Sequence, residues 1–239
     1  MEGLKPIENK KISIIRLFAD LQVCSTYRKL KKMLPKTGNG GACLDVGCGD
    51  SPYKFMLKGY DYKGIDWEGS DDSFGYKKDN VEYYDGETFP IEDNSIDLLI
   101  HTEVAEHIPD ILLFFNECAR VLKKDGIMVF SIPFSARYHY IPNDFRRLTP
   151  AGIEQILKQA GFSAIEIEPR STDITVACYK VVTVGYRWLL SRKIHKILGF
   201  ILLLPVFAIS LLIGQMALWL DIGDHNDCLG YVVRTKKGI

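Results

Sequence analysis

The stretch ACLDVGCGDSPY, Ala42–Tyr53, is a short apolar run that opens into a glycine turn. Its first residues have the continuous apolar character of a strand buried on both faces, interrupted only by Asp45. Gly47 and Gly49 let the backbone bend tightly and come close to a ligand where a Cβ would collide. A GxG after a strand is a weak signal by itself, because many unrelated turns share it. The dinucleotide fingerprint asks for a third glycine at position 52, and this chain has Pro52, which also withholds a backbone donor from a phosphate. The turn is therefore a poor phosphate cradle, and a nicotinamide-dependent oxidoreductase is disfavoured.

Outward from this turn the pattern alternates strand and helix. YKGIDW and VEYYDG read as the second and third strands, and SIDLLIHTEV as the fourth. DILLFFNECARVLKKDG has Leu112, Phe115, Ala119 and Leu122 on one face; it predicts a helix with Lys123 and Lys124 in its last turn and Gly126 as its stop. IMVFSIPF is a fifth, fully buried strand. TPAGIEQILKQAGF predicts a helix capped by Thr149 with Pro150 at its first position. SAIEIEP and CLGYVVRTKK complete seven strands. Strands separated by helices imply an α/β, doubly wound, mostly parallel sheet, whose ligands bind at the carboxyl ends of the strands.

Three acids converge on that edge: Asp45 within the first strand, Asp66 ending the second and Asp85 after the third. A row of carboxylates suits a ligand with an amine, hydroxyls and a positive centre. An aspartate after a strand is also a common turn or cap residue, but an unpaired carboxylate inside a buried strand, as at Asp45, is costly. In this order LDVGCGDS, GIDW, YDGETFPIEDNSIDLLIHTEVAEHI and ARVLKKDGIMVFSIPF resemble the class I S-adenosylmethionine-dependent methyltransferases, of the type 11 kind, from about Ala42 to Phe162. The resemblance implies a Rossmann-like seven-stranded methyltransferase sheet with S-adenosyl-L-methionine as cofactor. It assigns Asp45, Gly47 and Gly49 to the methionine end, Asp66 to the ribose hydroxyls, and Asp85 with the backbone of Gly86 to the adenine edge. His101, at the end of the fourth strand, is grouped with these cofactor residues. The family often has glycine at position 51, where this chain has Ser51. A non-catalytic binding or scaffold protein that kept the fold is the competing class.

For the transfer itself, a base is needed only where the acceptor must lose a proton. His139 follows the fifth strand and is the candidate base or substrate ligand; a surface imidazole or local cap is the other reading. His107, at a helix start, reads as structural. In NDFRRLT, Arg146 and Arg147 are candidates to grip an acceptor phosphate or carboxylate, and an ion pair with Asp144 that pins the loop is an equal alternative.

Lys and Arg number 30 and Asp and Glu 30, so the net charge is zero and no global field points to nucleic acid. Cys24, Cys43, Cys48, Cys118, Cys178 and Cys228 form no CxxC pair, so neither a metal site nor a disulfide framework is expected. The N-terminus lacks the pattern of a signal peptide. One stretch stands apart: Ile197–Leu220, ILGFILLLPVFAISLLIGQMALWL, is long and apolar enough for lipid. A single crossing would strand the last sheet strand on the wrong side of the bilayer, and a bend near Pro205 or Gly214 leaves arms too short to span. The expectation is a monotopic dip into one leaflet at the cytoplasmic face of a membrane, with Arg187, Arg192, Lys193, His195 and Lys196 against anionic headgroups. A dimer interface or an unusually apolar core pair is the alternative. The organisation is thus 1–41, an amphipathic helical lead-in with Ile14, Ile15, Phe18 and Leu21 on one face; 42–170, the cofactor-binding core; 171–224, a hydrophobic helical insertion; and 225–239, the final strand. The acceptor expected is a lipid, lipid-linked sugar, isoprenoid or quinone-like molecule at the membrane surface.

Overall fold

A computed structural model describes residues 13–70, 81–191 and 193–238. Arg192 and the first twelve residues lie outside the described residues. The seven strands are β1 (Ala42–Val46), β2 (Asp61–Trp67), β3 (Glu82–Tyr84), β4 (Ile96–Thr102), β5 (Leu122–Pro133), β6 (Phe162–Pro169) and β7 (Gly230–Lys237). They form one sheet in the order β3-β2-β1-β4-β5-β7-β6. All neighbours are parallel except β7, which runs antiparallel to β5 and β6. The strand order reverses beside β1, so the turn after β1 stands at the switch point where ligands bind in such sheets.

Helices cover both faces. On one, α1 (Ile14–Ala19) leads into α2 (Leu21–Met33), whose first turn is capped by Asp20 Oδ1 accepting from Gln22 and Val23 at 3.0 and 3.2 Å. Leu30 and Met33 of α2 pack on Leu98, Ile100 and Val129. On the other face, α3 (Ile111–Val121) and α4 (Pro150–Gln159) bury Phe114, Phe115, Ile153 and Leu157 against Leu99, Met128 and Phe130. Thr149 caps α4 through Gly152 N–H at 3.3 Å, with Pro150 in its first turn.

One helix boundary departs from the sequence expectation. α3 stops at Val121, and Lys123 and Lys124 belong to β5 rather than to a last helical turn. Leu122 is fully buried and pairs with Ile96 at the start of β4, which draws the chain into extended conformation before Gly126 is reached. Lys123 then bridges to Asp97 at 2.7 Å.

Between β6 and β7 the chain forms α5 (Asp173–Leu189), α6 (Ile194–Leu202) and α7 (Leu204–Leu220). The last two meet at a 61° bend, and no single described helix is long and apolar enough to cross a membrane. Pro205 lies in the first turn of α7, where a missing N–H costs no helical bond. α7 packs by close approach: a Cβ at Gly214 would stand 2.8 Å from Leu21 Cδ1 and 2.9 Å from Cys178 Cβ, and Gly185 of α5 faces the Phe207 ring. Gln215 donates to the carbonyls of Leu17 and Phe18 at 3.0 and 2.6 Å, tying α7 to the α1–α2 junction.

Candidate functional site

The carboxyl ends of β1, β2, β3 and β4 open into a cavity of about 520 Å³. The turn after β1 forms its floor. Gly47 and Gly49 have φ of +64° and +46°. A Cβ at Gly47 would lie 2.6 Å from Val104 Cγ2, so only glycine fits there on both counts. Ser51 also has positive φ, +51°, at the position where the resembling family often has glycine.

Asp66 ends β2 and is nearly buried. Its Oδ2 accepts from Gly49 N–H at 2.9 Å and its Oδ1 from Trp67 N–H at 2.8 Å, which fixes the carboxylate at the cavity wall. Burial raises its pKa, and those two backbone donors work against the rise. Trp67 flanks it, with the indole lying against Gly86, whose Cβ would come within 3.1 Å of Trp67 Cδ1. Asp85 closes this end. Its Oδ1 accepts from Glu87 and Thr88 at 2.8 and 3.0 Å, a turn cap that holds the carboxyl below its ordinary range.

Asp45 stands behind the turn. Tyr62 donates to Asp45 Oδ2 at 2.7 Å and stands 2.8 Å from Ser51 Oγ. Burial pushes the Asp45 carboxyl up to about 7, and the Tyr62 hydrogen bond only partly offsets this.

The opposite wall is Thr102, Glu103, Val104, His107, His139, Tyr140 and Asn143, and Arg16 of α1 reaches in from the rim. Glu103 is held by Ser131 Oγ at 2.7 Å and by the buried Arg170 at 3.0 Å. His139 Nδ1 lies 3.0 Å from the Arg137 carbonyl and 2.9 Å from Asp144 Oδ2. Burial opposes ionisation of Asp144, but the Arg147 fork and the His139 N–H outweigh it and hold the carboxyl near about 2.

Residues 44–130 match the model of the family described as a methyltransferase domain. A probable S-adenosylmethionine-dependent methyltransferase of Mycolicibacterium smegmatis is 27% identical over 134 residues, 52% of each chain. Among solved structures, a putative S-adenosylmethionine-dependent methyltransferase from Listeria monocytogenes superposes with a TM-score of 0.54 at 13% identity, over 91% of this chain and 100% of that one. Haemonchus contortus phosphoethanolamine N-methyltransferase 2, in complex with S-adenosyl-L-methionine, gives 0.53 at 18% identity, over 96% of this chain and 58% of that one. Residues 44–130 thus carry a methyltransferase domain, set in a Rossmann-like methyltransferase sheet. The chain spans about half the length, or less, of the curated relatives it matches.

The cavity of this methyltransferase domain fits its cofactor on the chain's own chemistry. Among the described lining residues Arg16 is the one Lys or Arg, against Asp50, Asp66, Asp85, Glu87 and Glu103. That balance favours a cationic sulfonium with an amine over a polyphosphate. Asp66, fixed at the cavity wall by the Gly49 and Trp67 N–H groups, keeps further lone pairs on both oxygens for paired hydroxyls.

Three sets of expected site residues do not line the cavity: Asp45, buried behind the turn where it accepts from Tyr62, and the two that follow. His101 is fully buried in the methyltransferase core, stacked on Phe130 with ring centroids 4.5 Å apart, and does not line the cavity. Thr102 and Glu103, one and two residues on, take the wall position. Arg146 donates to the carbonyls of Ala105, Ile108 and Pro109. Arg147 grips both oxygens of Asp144 at 2.6 and 2.8 Å. Both arginines are thus spent pinning their own loop, the second of the two roles their sequence allowed. Trp67, Glu103 and Arg16 belong to the cavity without having been expected; for Trp67 the available signal was a bulky aromatic directly after the strand-end acid.

Proposed function

We propose that this protein transfers a methyl group from S-adenosylmethionine to an apolar acceptor presented at a membrane surface, a lipid, lipid-linked sugar, isoprenoid or quinone-like molecule. When bound, the cofactor supplies an electrophilic methyl group on a sulfonium. Asp66 takes the ribose hydroxyls, Trp67, Asp85 and Gly86 border the adenine, and the Gly47–Gly49 turn with Asp45 behind it receives the methionine end. Such positioning accounts for much of the barrier lowering in a direct displacement. His139, oriented by Asp144, is the group of the far wall that meets the acceptor.

The observation that carries the acceptor class is a shared element. α1 contributes Arg16 to the cavity rim, exposes Ile14, Ile15 and Phe18, and is tied by Gln215 to α7. The apolar surface therefore continues from the cavity mouth onto α6 and α7. There Ile201, Leu202, Ile209, Leu212 and Trp219 are exposed by 56–78%. Patches of this kind mark interaction surfaces. The two arms of 9 and 17 residues reach about 13 and 25 Å at 1.5 Å per residue, short of the roughly 30 Å hydrocarbon core. That favours a monotopic seat at the cytoplasmic face. Arg187, Lys193 and Lys196 flank the patch and would add about 1 kcal/mol each toward anionic lipid.

Flotation of the purified chain with phosphatidylserine-containing and purely phosphatidylcholine vesicles, combined with labelled methyl transfer into a lipid or an aqueous extract, tests this. Co-flotation favouring the anionic vesicles and label in the lipid extract are expected. A chain that stays unbound as a monodisperse dimer without detergent, or label confined to the aqueous extract, would overturn the acceptor class.

A further inference from the structure

Three potential ligand groups from two distant parts of the chain meet beside the cavity wall formed by His107 and His139. Glu106 and His107 follow β4, and His139 follows β5. One ligand atom from each lies within 4.8 Å of the other two. The histidine rings have centroids 5.0 Å apart.

Glu106 is the anomaly. Its side chain is fully buried, yet neither carboxylate oxygen has a hydrogen-bond partner among the described residues. Its nearest titratable contact is His107 Nε2, 3.6 Å from Oε1. The cations that could neutralise it are committed elsewhere: Arg147 holds both Asp144 oxygens, and Arg170 is paired with Glu103. A fully buried carboxyl with no partner, set among two imidazoles, points to a cationic ligand.

Both histidines are oriented from behind. His107 Nδ1 meets the carbonyl of Asn143, and His139 Nδ1 meets the Arg137 carbonyl and the Asp144 carboxylate. At His107 the carbonyl on Nδ1 sets the tautomer that puts the lone pair on Nε2, and His139 Nδ1 also stands 3.3 Å from Arg147 Nη2; such outer partners are the usual support of a metal-binding imidazole. One carboxylate and two imidazoles make a donor set suited to a borderline divalent cation.

We propose that Glu106, His107 and His139 bind one divalent transition-metal cation, of the Zn²⁺, Mn²⁺ or Co²⁺ kind, with open positions facing the cavity. Side-chain rotations of about an ångström would bring the three ligand atoms to the 2.0–2.2 Å typical of such bonds. The open positions would take an oxygen of the acceptor, and His139 is then a metal ligand rather than a base. The purpose of the ion rests on the methyl-transfer reading, but its binding does not. No CxxC or HxxxH spacing advertises the site, because the fold brings its two halves together.

The full chain, stripped with a chelator and dialysed, is titrated with Zn²⁺ and Mn²⁺ by calorimetry and with Co²⁺ by visible absorption; S-adenosylmethionine is titrated separately in chelator. One equivalent of metal is expected. Glu106→Gln and His139→Ala each remove a ligand and should weaken it by at least about 10- to 100-fold, the loss that even the groups supporting a ligand cause, while unfolding cooperatively in chelator. His139 is partly exposed, so its variant carries the test if Glu106→Gln fails to fold. Absence of saturable binding by the intact chain, equal affinity in the His139 variant, or a strong thiolate-to-cobalt charge-transfer band would overturn the proposal. Cofactor binding in chelator with no metal binding would sink the metal alone and leave the methyltransferase reading standing.

Discussion

Asp45 makes a prediction whose size follows from its surroundings. The carboxyl is buried between β1 and its neighbours, opposite Gly64 and Ile100, and burial pushes its pKa up to about 7 from the ordinary 3.8. Because the folded-state value is raised, the native chain holds a proton that the unfolded chain releases. Its contribution to stability is therefore fully present below about pH 4 and is lost as the pH rises through about 7. A shift of about three units at 1.36 kcal/mol each gives a loss of about 4 kcal/mol across that window, and about 2–3 kcal/mol between pH 5 and 7. Against a typical total of roughly 5–15 kcal/mol this is large.

Asp45→Asn keeps the shape and leaves Tyr62 an oxygen to donate to, but removes the ionisation. Urea unfolding of both chains at pH 5, 6, 7 and 8, without cofactor, gives the comparison. The variant should gain on the parent by about 1.4 kcal/mol per unit up to pH 7 and then hold a constant lead. Only the pH-dependent part matters, so any fixed cost of the amide cancels. Parallel profiles would refute the reasoning. If the cofactor's ammonium group is received beside Asp45, saturating S-adenosylmethionine should flatten the parent's slope as well, since a nearby cation favours the carboxylate.

His101 predicts the opposite sign: burial lowers its pKa to about 3, so its cost appears as the pH falls below about 6.5. His101→Phe should raise stability at pH 5 by about 2 kcal/mol more than at pH 7.5, read from thermal or urea unfolding; unchanged S-adenosylmethionine affinity in calorimetry is expected alongside, and a large loss would return His101 to the cofactor site. Asp66→Ala removes two hydrogen bonds to a charged group, each worth about 1.5–3 kcal/mol, and should weaken cofactor binding by at least about 100-fold by calorimetry. Retained affinity would shift the ribose contact to another residue.

What the sequence made legible and what it hid divide along the range of the interactions involved. The strands were readable because each is a local apolar run, and the turn because glycine at Gly47 reports a local backbone need. His101 was misplaced because β4 is covered on both faces: with no alternation of apolar and polar residues, nothing local says which strand-end residue clears the core. The roles of Arg146 and Arg147 depended on carbonyls and a carboxylate that only the folded loop supplies. The end of α3 slipped for a similar reason, since Lys123 and Lys124 suit a helix terminus as well as a strand facing Asp97. His107 and His139 were legible singly; that they meet with Glu106 beside them was not.

The insertion bears on the proposed acceptor through the direction in which its helices are sorted. In a helix docked on a water-soluble protein the apolar stripe faces inward. α7 reverses this. Alongside Phe207 and Leu218 its buried positions are Gly214, Gln215 and Ala217, small or polar, whereas Ile209, Leu212, Met216 and Trp219 face out, each more than half exposed. Small residues inside, a polar amide satisfied within the bundle and large apolar groups outside is the arrangement of helices surrounded by lipid. Gln215 spends its amide on α1, the same element that contributes Arg16 to the cavity lining, so α7 and the cavity are joined through one hydrogen-bonded element. An acceptor that reached the cavity from water would have no use for that relation; one that entered from a lipid surface would meet the mouth without leaving its apolar surroundings.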